Sequence, residues 1–247
     1  MCLCAFALIP WLSSAAESAS PSIRLDRIYK QASSRYKESP ANTEAAWQFA
    51  RACFDLADLA KSSSERAALA EEGIAACRAA IDRKFGSAPA HYYLAMNFGQ
   101  LARTKSIGAL KLVREMETEF KAAIELDEKF DYAGPHRSLG LLYKDAPGWP
   151  TSIGNRGKAR FHLSKAAELS PDYPDNRLAL LEAYFEWGER RLVLDELPAV
   201  AEVLQSARKK FKGEEWELSW RDWQSRFEKL KGKASAPSER AVSPRGK

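Results

Sequence analysis

The feature of this sequence that most constrains its fold is one pattern of small and large residues that occurs four times. Apolar residues at i, i+3, i+4 and i+7 predict paired helices, and the second helix of each pair ends its pattern on an alanine. These alanines are Ala80, Ala123, Ala166 and Ala207, at steps of 43, 43 and 41 residues. One helical pair cannot bury its apolar face alone, so four pairs are expected to stack around one continuous core.

The third repeat shows the pattern in full. Its first helix carries His136, Leu139, Gly140 and Tyr143 on one face, and its second carries Ala159, Leu163 and Ala166 before Pro171. The small residues let two antiparallel helices approach closely, which is typical of tetratricopeptide (TPR) hairpins. The connection between the two helices, residues 145–154, is far longer than the tight turn of such a hairpin.

The sequence therefore predicts an all-α protein, a TPR-like α-solenoid of four helical hairpins with extended inter-helix connections and about ten helices. Its repeat domain is expected to span residues 22–231. Residues 214–231 carry tryptophans at i, i+4 and i+7, a spacing that predicts one buried face and hence a C-terminal capping helix. Residues 232–247 have no aromatic residue and no periodicity, which predicts a disordered basic tail.

The N-terminal segment has the features of a secretory signal peptide over residues 1–16. Its apolar run, residues 3–12, is too short to span a bilayer and is followed by the small residues Ser14, Ala15 and Ala16. No basic residue precedes the run, and neither Cys2 nor Cys4 follows a lipid-attachment motif. We expect export to the periplasm without a lipid anchor. The alternative is a buried N-terminal helix.

Two cysteines remain after the signal peptide, one on each helix of the first repeat. Cys53 and Cys77 have a register that could bring them together, and an exported protein with an even number of cysteines permits a disulfide. Free buried cysteines are also common packing residues between helices. The sequence leaves both possibilities open.

The net charge of +5 is concentrated near the C-terminus, where residues 208–247 hold twelve Lys or Arg and six Asp or Glu. A solvated basic helix and tail accounts for this excess. A nucleic-acid partner would require basic residues interleaved with exposed aromatic ones, whereas the tryptophans here have the spacing of a buried face. We therefore expect no nucleic-acid partner.

No set of residues in the sequence has the composition of a catalytic or metal site. His91 and His136 occupy the same register position in successive repeats, roughly 10 Å apart at the spacing of packed helices, which is too far to share a metal. At this position a histidine is expected to fill the groove between helices. Residues 154–159 resemble the end of a phosphate loop. Position 152, however, is Ser where that loop begins with Gly, and position 159 is Ala where it has Ser or Thr. We predict a protein that is not an enzyme and has no cofactor and no metal.

The long connection of the third repeat is the best candidate for a binding element. Pro147, Gly148, Trp149 and Pro150 form its centre. Two prolines stiffen the loop and lower the entropic cost of presenting an aromatic side chain, and a rigid exposed tryptophan is a good binding anchor. The alternative is that Trp149 folds back onto the third hairpin and stabilises it.

Several of these residues together carry a family resemblance. They are Gly134–Arg137 with Leu139, Gly140 and Tyr143, then Ala146–Pro150 and Gly154, then Ala159–Pro171 with Asp172 and Asn176. Over residues 133–184 the chain resembles the T-component family of tripartite ATP-independent periplasmic (TRAP) transporters. The resemblance implies an exported accessory protein that binds a periplasmic solute-binding protein and an apolar ligand, and that forms trimers. Many members are lipoproteins, and this chain departs from them in lacking the lipid-attachment motif.

The resemblance and the loop together define a candidate site for a partner or ligand, to which His136, Arg137 and Tyr143 are added from the same stretch. The alternative function is a generic TPR-like adaptor that binds a peptide or protein on its concave face. Its candidate residues on the first helices are Tyr92, Asn97, Arg137 and Asn176.

Overall fold

The computed structural model describes residues 21–83, 86–105 and 107–236, which form helices joined by mostly short connections. The helices are α1 (Pro21–Glu38), α2 (Thr43–Asp58), α3 (Ser63–Arg83), α4 (Ala88–Ala102), α5 (Ala109–Asp127), α6 (Phe130–Asp145), α7 (Arg156–Leu169), α8 (Pro174–Glu186), α9 (Arg190–Ala207) and α10 (Glu217–Ser235). Within these ranges no strand forms, and Gly148 and Gly154 make an isolated bridge. The all-α prediction with about ten helices is confirmed.

Four antiparallel hairpins, α2–α3, α4–α5, α6–α7 and α8–α9, stack in order along the solenoid, with α1 against α2 and α10 against α8 and α9. The four alanines that set the repeat register are all 2% exposed or less. An alanine at these positions lets the second helix of each pair lie close to its partner. The alanines recur at this spacing because each lies where two helices of a hairpin pack closely, as predicted.

The closest helix approach in the third hairpin depends on Gly140. A Cβ atom at this position would lie 2.8 Å from Cγ of Leu163 and 3.0 Å from its backbone nitrogen, closer than real Cβ contacts. Leu163 on α7 is fully buried, and it fills the space that the glycine leaves. The prediction that a small residue here lets α6 and α7 approach is confirmed.

The last hairpin is covered by α10. Trp223 is 2% exposed and packs edge-on against the rings of Tyr173 and Phe211. Arg226 adds ion pairs to Asp175 at 2.5 Å and to Glu182 at 2.8 Å. The aromatic spacing in the sequence therefore predicted a capping helix correctly.

The extra length of the repeats is placed differently from one repeat to the next. The connections between the first and second helices are residues 59–62, 103–108, 146–155 and 187–189. Only the third is long, while α3, α5 and α9 extend to 21, 19 and 18 residues. The alanine-rich and charged sequences of these three helices have high helix propensity, so the additional residues lengthen the helices.

The expected ends of the repeat domain lie partly outside the described residues. The predicted signal peptide, residues 1–16, lies outside the described residues, as do residues 237–247 of the predicted tail. Residues 232–235, predicted to belong to the tail, instead continue α10 to Ser235. None of the described helices combines the length and apolar character that crossing a membrane requires.

Candidate functional site

The connection between α6 and α7 is an ordered loop with its tryptophan in solvent. The backbone N–H of Gly154 donates to Pro147 O at 2.9 Å, and that of Asn155 donates to Tyr143 O at 2.9 Å. The Asn155 side chain then accepts from Lys158 N–H and caps α7. The Trp149–Pro150 peptide bond is cis, and Trp149 is 89% exposed. Ile153 packs against the core from this loop, so the alternative in which Trp149 does so is wrong.

The side chains proposed for the site outside this loop are buried. Their exposures are 2% for Tyr92, 0% for Asn97, 4% for His136, 7% for Arg137, 2% for Tyr143 and 0% for Asn176. The prediction that they present a binding surface is therefore wrong. Each of them lies on the side of its helix that faces a neighbouring helix, and each uses its polar atoms inside the fold.

Arg137 and Asn176 connect the third and fourth repeats. Arg137 donates to Asn176 Oδ1 at 2.9 Å and forms an ion pair with Asp175 at 3.0 Å. Asn176 Nδ2 donates to Tyr132 O at 2.9 Å and to Ala166 O at 3.0 Å. Burial alone would raise the pKa of Asp175, but the guanidinium groups of Arg137 and Arg226 hold it below its usual range.

The Tyr132 carbonyl belongs to an unusual turn at the start of α6. Asp131, Tyr132 and Ala133 have φ values of 49°, 57° and 61°, the left-handed region that costs a non-glycine residue roughly 1–2 kcal/mol. Asn176 holds the carbonyl from the neighbouring repeat, and the carboxylate of Asp131 lies 3.7 Å from Arg137. The same buried polar groups that join the repeats therefore also support the strained turn.

Asn97 and Tyr92 of the second repeat likewise form contacts between neighbouring repeats. Asn97 Nδ2 donates to Ala50 O at 2.9 Å, which joins α4 to α2, and to Tyr93 O at 2.8 Å. The Tyr92 hydroxyl lies 3.4 Å from Oγ of Ser138 on α6. These contacts fix neighbouring first helices relative to one another.

The histidines at the shared register position each pair with the second helix of their own repeat. Nδ1 of His91 lies 2.6 Å from Glu119, and Nδ1 of His136 lies 2.9 Å from Nδ1 of His162. Burial lowers the pKa of His136, and burial with the neighbouring His136 lowers that of His162 to about 4. The prediction that such a histidine fills the groove between helices agrees with this placement. Tyr143 completes the cluster, donating to Glu117 at 2.6 Å.

The two cysteines are free and buried. Burial raises the pKa of both thiols above the usual range, which keeps them protonated. The sequence left open a disulfide or two free packing residues, and in the structure Cys53 and Cys77 are free packing residues. No group of three or more metal-ligating side chains occurs among the described residues.

The site that the sequence did not reveal is a cleft lined by the first helices of three successive repeats. We refer to it as the first-helix cleft; its volume is about 430 Å³. Its lining residues are Phe54 and Asp58 of α2, Met96, Gly99 and Gln100 of α4 with the adjoining Arg103, Met116 of α5, and Ser138, Leu141, Leu142 and Asp145 of α6. Most of the floor is apolar and half-buried. Asp145 ends α6 directly before the Trp149 loop, so the loop begins at the rim of the cleft.

Gly99 leaves the floor of the first-helix cleft open. A Cβ atom there would lie 3.2 Å from Cε of Met116, so a glycine exposes this thioether to the cleft. The charged groups stay at the rim, where Arg103 pairs with Asp58 at 2.8 Å and Lys144 with Asp145 at 2.7 Å. In the sequence, the signal that could have indicated this cleft was the presence of apolar residues outside the repeat register, such as Met96 and Leu141.

A larger groove of about 610 Å³ lies between α3 and α5 on the other side of α4, but it is a weaker candidate. Arg78 lies over the Phe98 ring of its floor at 5.5 Å and reaches Glu115 of α5 at 3.7 Å. The groove is thus already bridged by side chains of its own walls.

Comparison with protein-family models shows which family this chain is related to. The family model for RMD1-3, described as regulator of microtubule dynamics protein 1-3, matches residues 13–140, just over half of the sequence. The chain belongs to the RMD1-3 family. The matched segment includes α2, α4 and much of α6, the three first helices of the cleft. No curated protein matches the chain in sequence.

Solved structures show that this RMD1-3 family member has the fold of TPR proteins. The structure of TTC0263, a thermophilic TPR protein of Thermus thermophilus, is 20% identical with a TM-score of 0.60 over 84% of this chain and 90% of its own. A structure of MamA is 17% identical with a TM-score of 0.52 over 76% of this chain and 92% of its own. At these identities the likeness concerns the fold alone.

The expected relationship to TRAP transporter T-components is wrong, because the matching family is RMD1-3. The residues that carried the resemblance explain the error. Gly140, Ala159 and Ala166 are buried small residues that any close helical hairpin of this type requires. His136 and Tyr143 likewise pack within the hairpin, so the pattern reports the repeat fold and does not distinguish between families that share it.

Proposed function

We propose that this RMD1-3 family member is a non-enzymatic adaptor that binds an apolar segment of a partner protein in the first-helix cleft. The observation that carries the proposal is the open apolar floor formed by Met96, Met116, Leu141 and Leu142. Methionine side chains are flexible and polarisable and adapt to varied apolar partners. The charged rim restricts where the ends of a bound segment can lie.

The position of the cleft favours a segment of a partner protein, rather than a small molecule, as its ligand. Its walls come from α2, α4 and α6, so it runs across neighbouring repeats and is open to solvent along one side. An amphipathic helix laid in such a groove places anchors at i, i+3, i+4 and i+7 against it. The stacked repeats hold the three walls in fixed positions, which lowers the ordering cost of binding.

The family description supplies the first defined partner to test. RMD1-3 proteins are described as regulators of microtubule dynamics, so polymerised tubulin is the natural candidate. An adaptor with one apolar cleft would act by binding tubulin or a protein attached to it, and it needs no catalytic group for that role.

The test uses a charge placed in the floor of the cleft. Leu141→Glu and Met96→Glu each introduce a carboxylate where an apolar anchor would dock, and binding of peptides selected from a displayed random library should fall about tenfold or more. Leu194→Glu is the matched control, because Leu194 is 42% exposed on α9 and lies outside the cleft. Fluorescence anisotropy measures each affinity, and thermal melts confirm that the variants are folded.

Two outcomes decide the proposal. Selection of apolar peptides that lose affinity for both cleft variants but not for Leu194→Glu supports it. Peptides that bind all three variants equally, or no selected peptide at all, contradict it. Co-sedimentation with microtubules then tests the partner, since binding through the cleft must be lost in Leu141→Glu.

A further inference from the structure

The connections after α2, α4 and α6 lie along one edge of the solenoid. These three first helices run in the same direction through successive repeats, so their C-terminal ends reach the same side of the molecule. We call this side the connection edge and define it by residues 59–62, 103–105 with 107–108, and 146–155. The ends of α3, α5 and α7 lie at the opposite edge because each second helix runs antiparallel to its first.

Each connection of this edge places one large apolar side chain in solvent. Leu59 is 43% exposed, Ile107 is 92% exposed and Trp149 is 89% exposed. Single exposed apolar residues are ordinary on a protein surface. Here one occurs in each of three successive connections, and two of the three are almost free of protein contact.

The charge of the connection edge is basic. The described residues of the three connections include Lys61, Arg103 and Lys105 and no Asp or Glu. Acidic groups at the adjoining helix ends are already engaged: Asp58 pairs with Arg103 and Asp145 pairs with Lys144. Neither Lys61 nor Lys105 forms an ion pair with a described residue, while Glu65 in the first turn of α3 accepts from the Lys61 backbone N–H.

We propose that the connection edge docks on an anionic phospholipid surface. Loop tips that project singly can enter the headgroup region one by one, and tryptophan favours that interface. A lysine near an anionic leaflet strengthens binding about fivefold. The basic charge of the connection edge is complementary to such a surface. The proposal does not depend on the first-helix cleft.

The experiment is co-sedimentation of the full chain with sucrose-loaded vesicles. One set contains phosphatidylcholine alone, and the other contains phosphatidylcholine mixed with phosphatidylserine. The N-terminal segment before α1 is the same in every variant, so differences between variants report on the edge. We expect Ile107→Ser and Trp149→Ser each to lower partitioning about tenfold, with unchanged melting temperatures because both side chains are exposed.

Two further variants separate the charge from the apolar contribution. Lys61→Gln with Lys105→Gln should lower partitioning onto the phosphatidylserine vesicles by about tenfold or more and leave binding to phosphatidylcholine unchanged. Leu126→Ser is the control, since Leu126 is 44% exposed in the last turn of α5 at the opposite edge. It should bind like the unmodified chain.

The proposal is overturned by equal binding to the two vesicle sets, or by Ile107→Ser and Trp149→Ser variants that partition like Leu126→Ser. It is also overturned if analytical ultracentrifugation shows that Trp149→Ser dissociates an oligomer while vesicle binding is absent. That result would assign the connection edge to contact between copies of the chain.

Discussion

At the scale of the residue, burial decides whether a polar group serves the fold or a partner. Arg137 and Asn176 were candidates for a binding surface, yet they bond to each other and to Asp175 in the interior. Leaving a buried hydrogen-bonding group without its partner costs about 1–3 kcal/mol. Such residues are therefore constrained by their internal partners and are poor candidates for contacts with another molecule.

The His136–His162 pair predicts a pH dependence of stability. Burial and the adjacent His136 lower the pKa of His162 from 6.5 to about 4 in the folded protein. As the pH falls, the unfolded chain therefore takes up the proton first, so this contribution to stability is complete above about pH 6.5 and is lost toward pH 4. The free energy of unfolding, measured by denaturant titration across this range, should fall less steeply in His162→Gln than in the unmodified chain.

The comparison between the two proteins is needed because a second group, Asp55, changes stability with pH in the opposite direction. Burial raises the pKa of Asp55 to about 6, so protonation of Asp55 favours the folded state over part of the same range. Asp55 is present in both proteins, and its contribution cancels in the difference. Equal slopes for the two proteins would show that the histidine pair does not carry the effect.

The sequence predicted the residues that pack and failed for most of those proposed to bind. The register of Ala80, Ala123, Ala166 and Ala207 follows from local helical periodicity, and all four are buried. The burial of Asn97 depends on the carbonyl of Ala50, which lies 47 residues away in the chain. Periodicity within one helix contains no information about such a partner.

At the scale of the element, the sequence indicates where a helix begins and ends only when a local signal exists. Pro171 and the glycine- and proline-rich loop of the third repeat bound α7 as predicted. The loss of periodicity after residue 231 predicted an end to the capping helix there, but α10 continues through Gly232 to Ser235. A single glycine costs a helix only about 1 kcal/mol relative to alanine, and the packing of Ala234, which is fully buried, offsets this.

The first-helix cleft belongs to the same scale and could not be predicted. Its lining includes Gly99 of α4, Met116 of α5 and Leu141 of α6, and both α4 and α6 pack on α5. The angle between stacked helices depends on all the side chains between them, and no motif in one helix specifies it. The long third connection, in contrast, was evident from its prolines and glycines.

The close approach of α6 and α7 gives a prediction at this scale. Gly140→Ala should lower the free energy of unfolding by about 1–3 kcal/mol, because the new Cβ atom meets Leu163 at 2.8 Å and the α7 backbone at 3.0 Å. Gly232→Ala is the matched control, since no atom lies within 4 Å of its Cβ position in α10. It should raise stability by about 0.5–1 kcal/mol. Urea unfolding of both variants checks the pair, and a stabilised Gly140→Ala would contradict the packing.

At the scale of the whole molecule, the solenoid is a series of units that contact mainly their neighbours. The aromatic cluster of the first repeats lies around Tyr92, Tyr93 and Phe130, while a separate cluster around Tyr173 and Phe211 closes the C-terminal end. Among the described residues no further hairpin follows α9, so the apolar side of the last hairpin requires a cap. In this protein α10 takes that place.

Removal of α10 should therefore affect the last repeat more than the first ones. A chain that ends at Lys212 loses Trp223, Leu230 and the Arg226 ion pairs, and it exposes the apolar residues of α8 and α9 that they cover. Losing one buried tryptophan alone costs about 3–5 kcal/mol, so we expect unfolding of the last repeat at lower temperature, together with self-association. A chain that ends at Ala236 keeps the cap and should melt like the full chain. Calorimetry and size-exclusion chromatography measure both properties, and a monomeric Lys212 chain with an unchanged melting temperature would show that α10 is not needed as a cap.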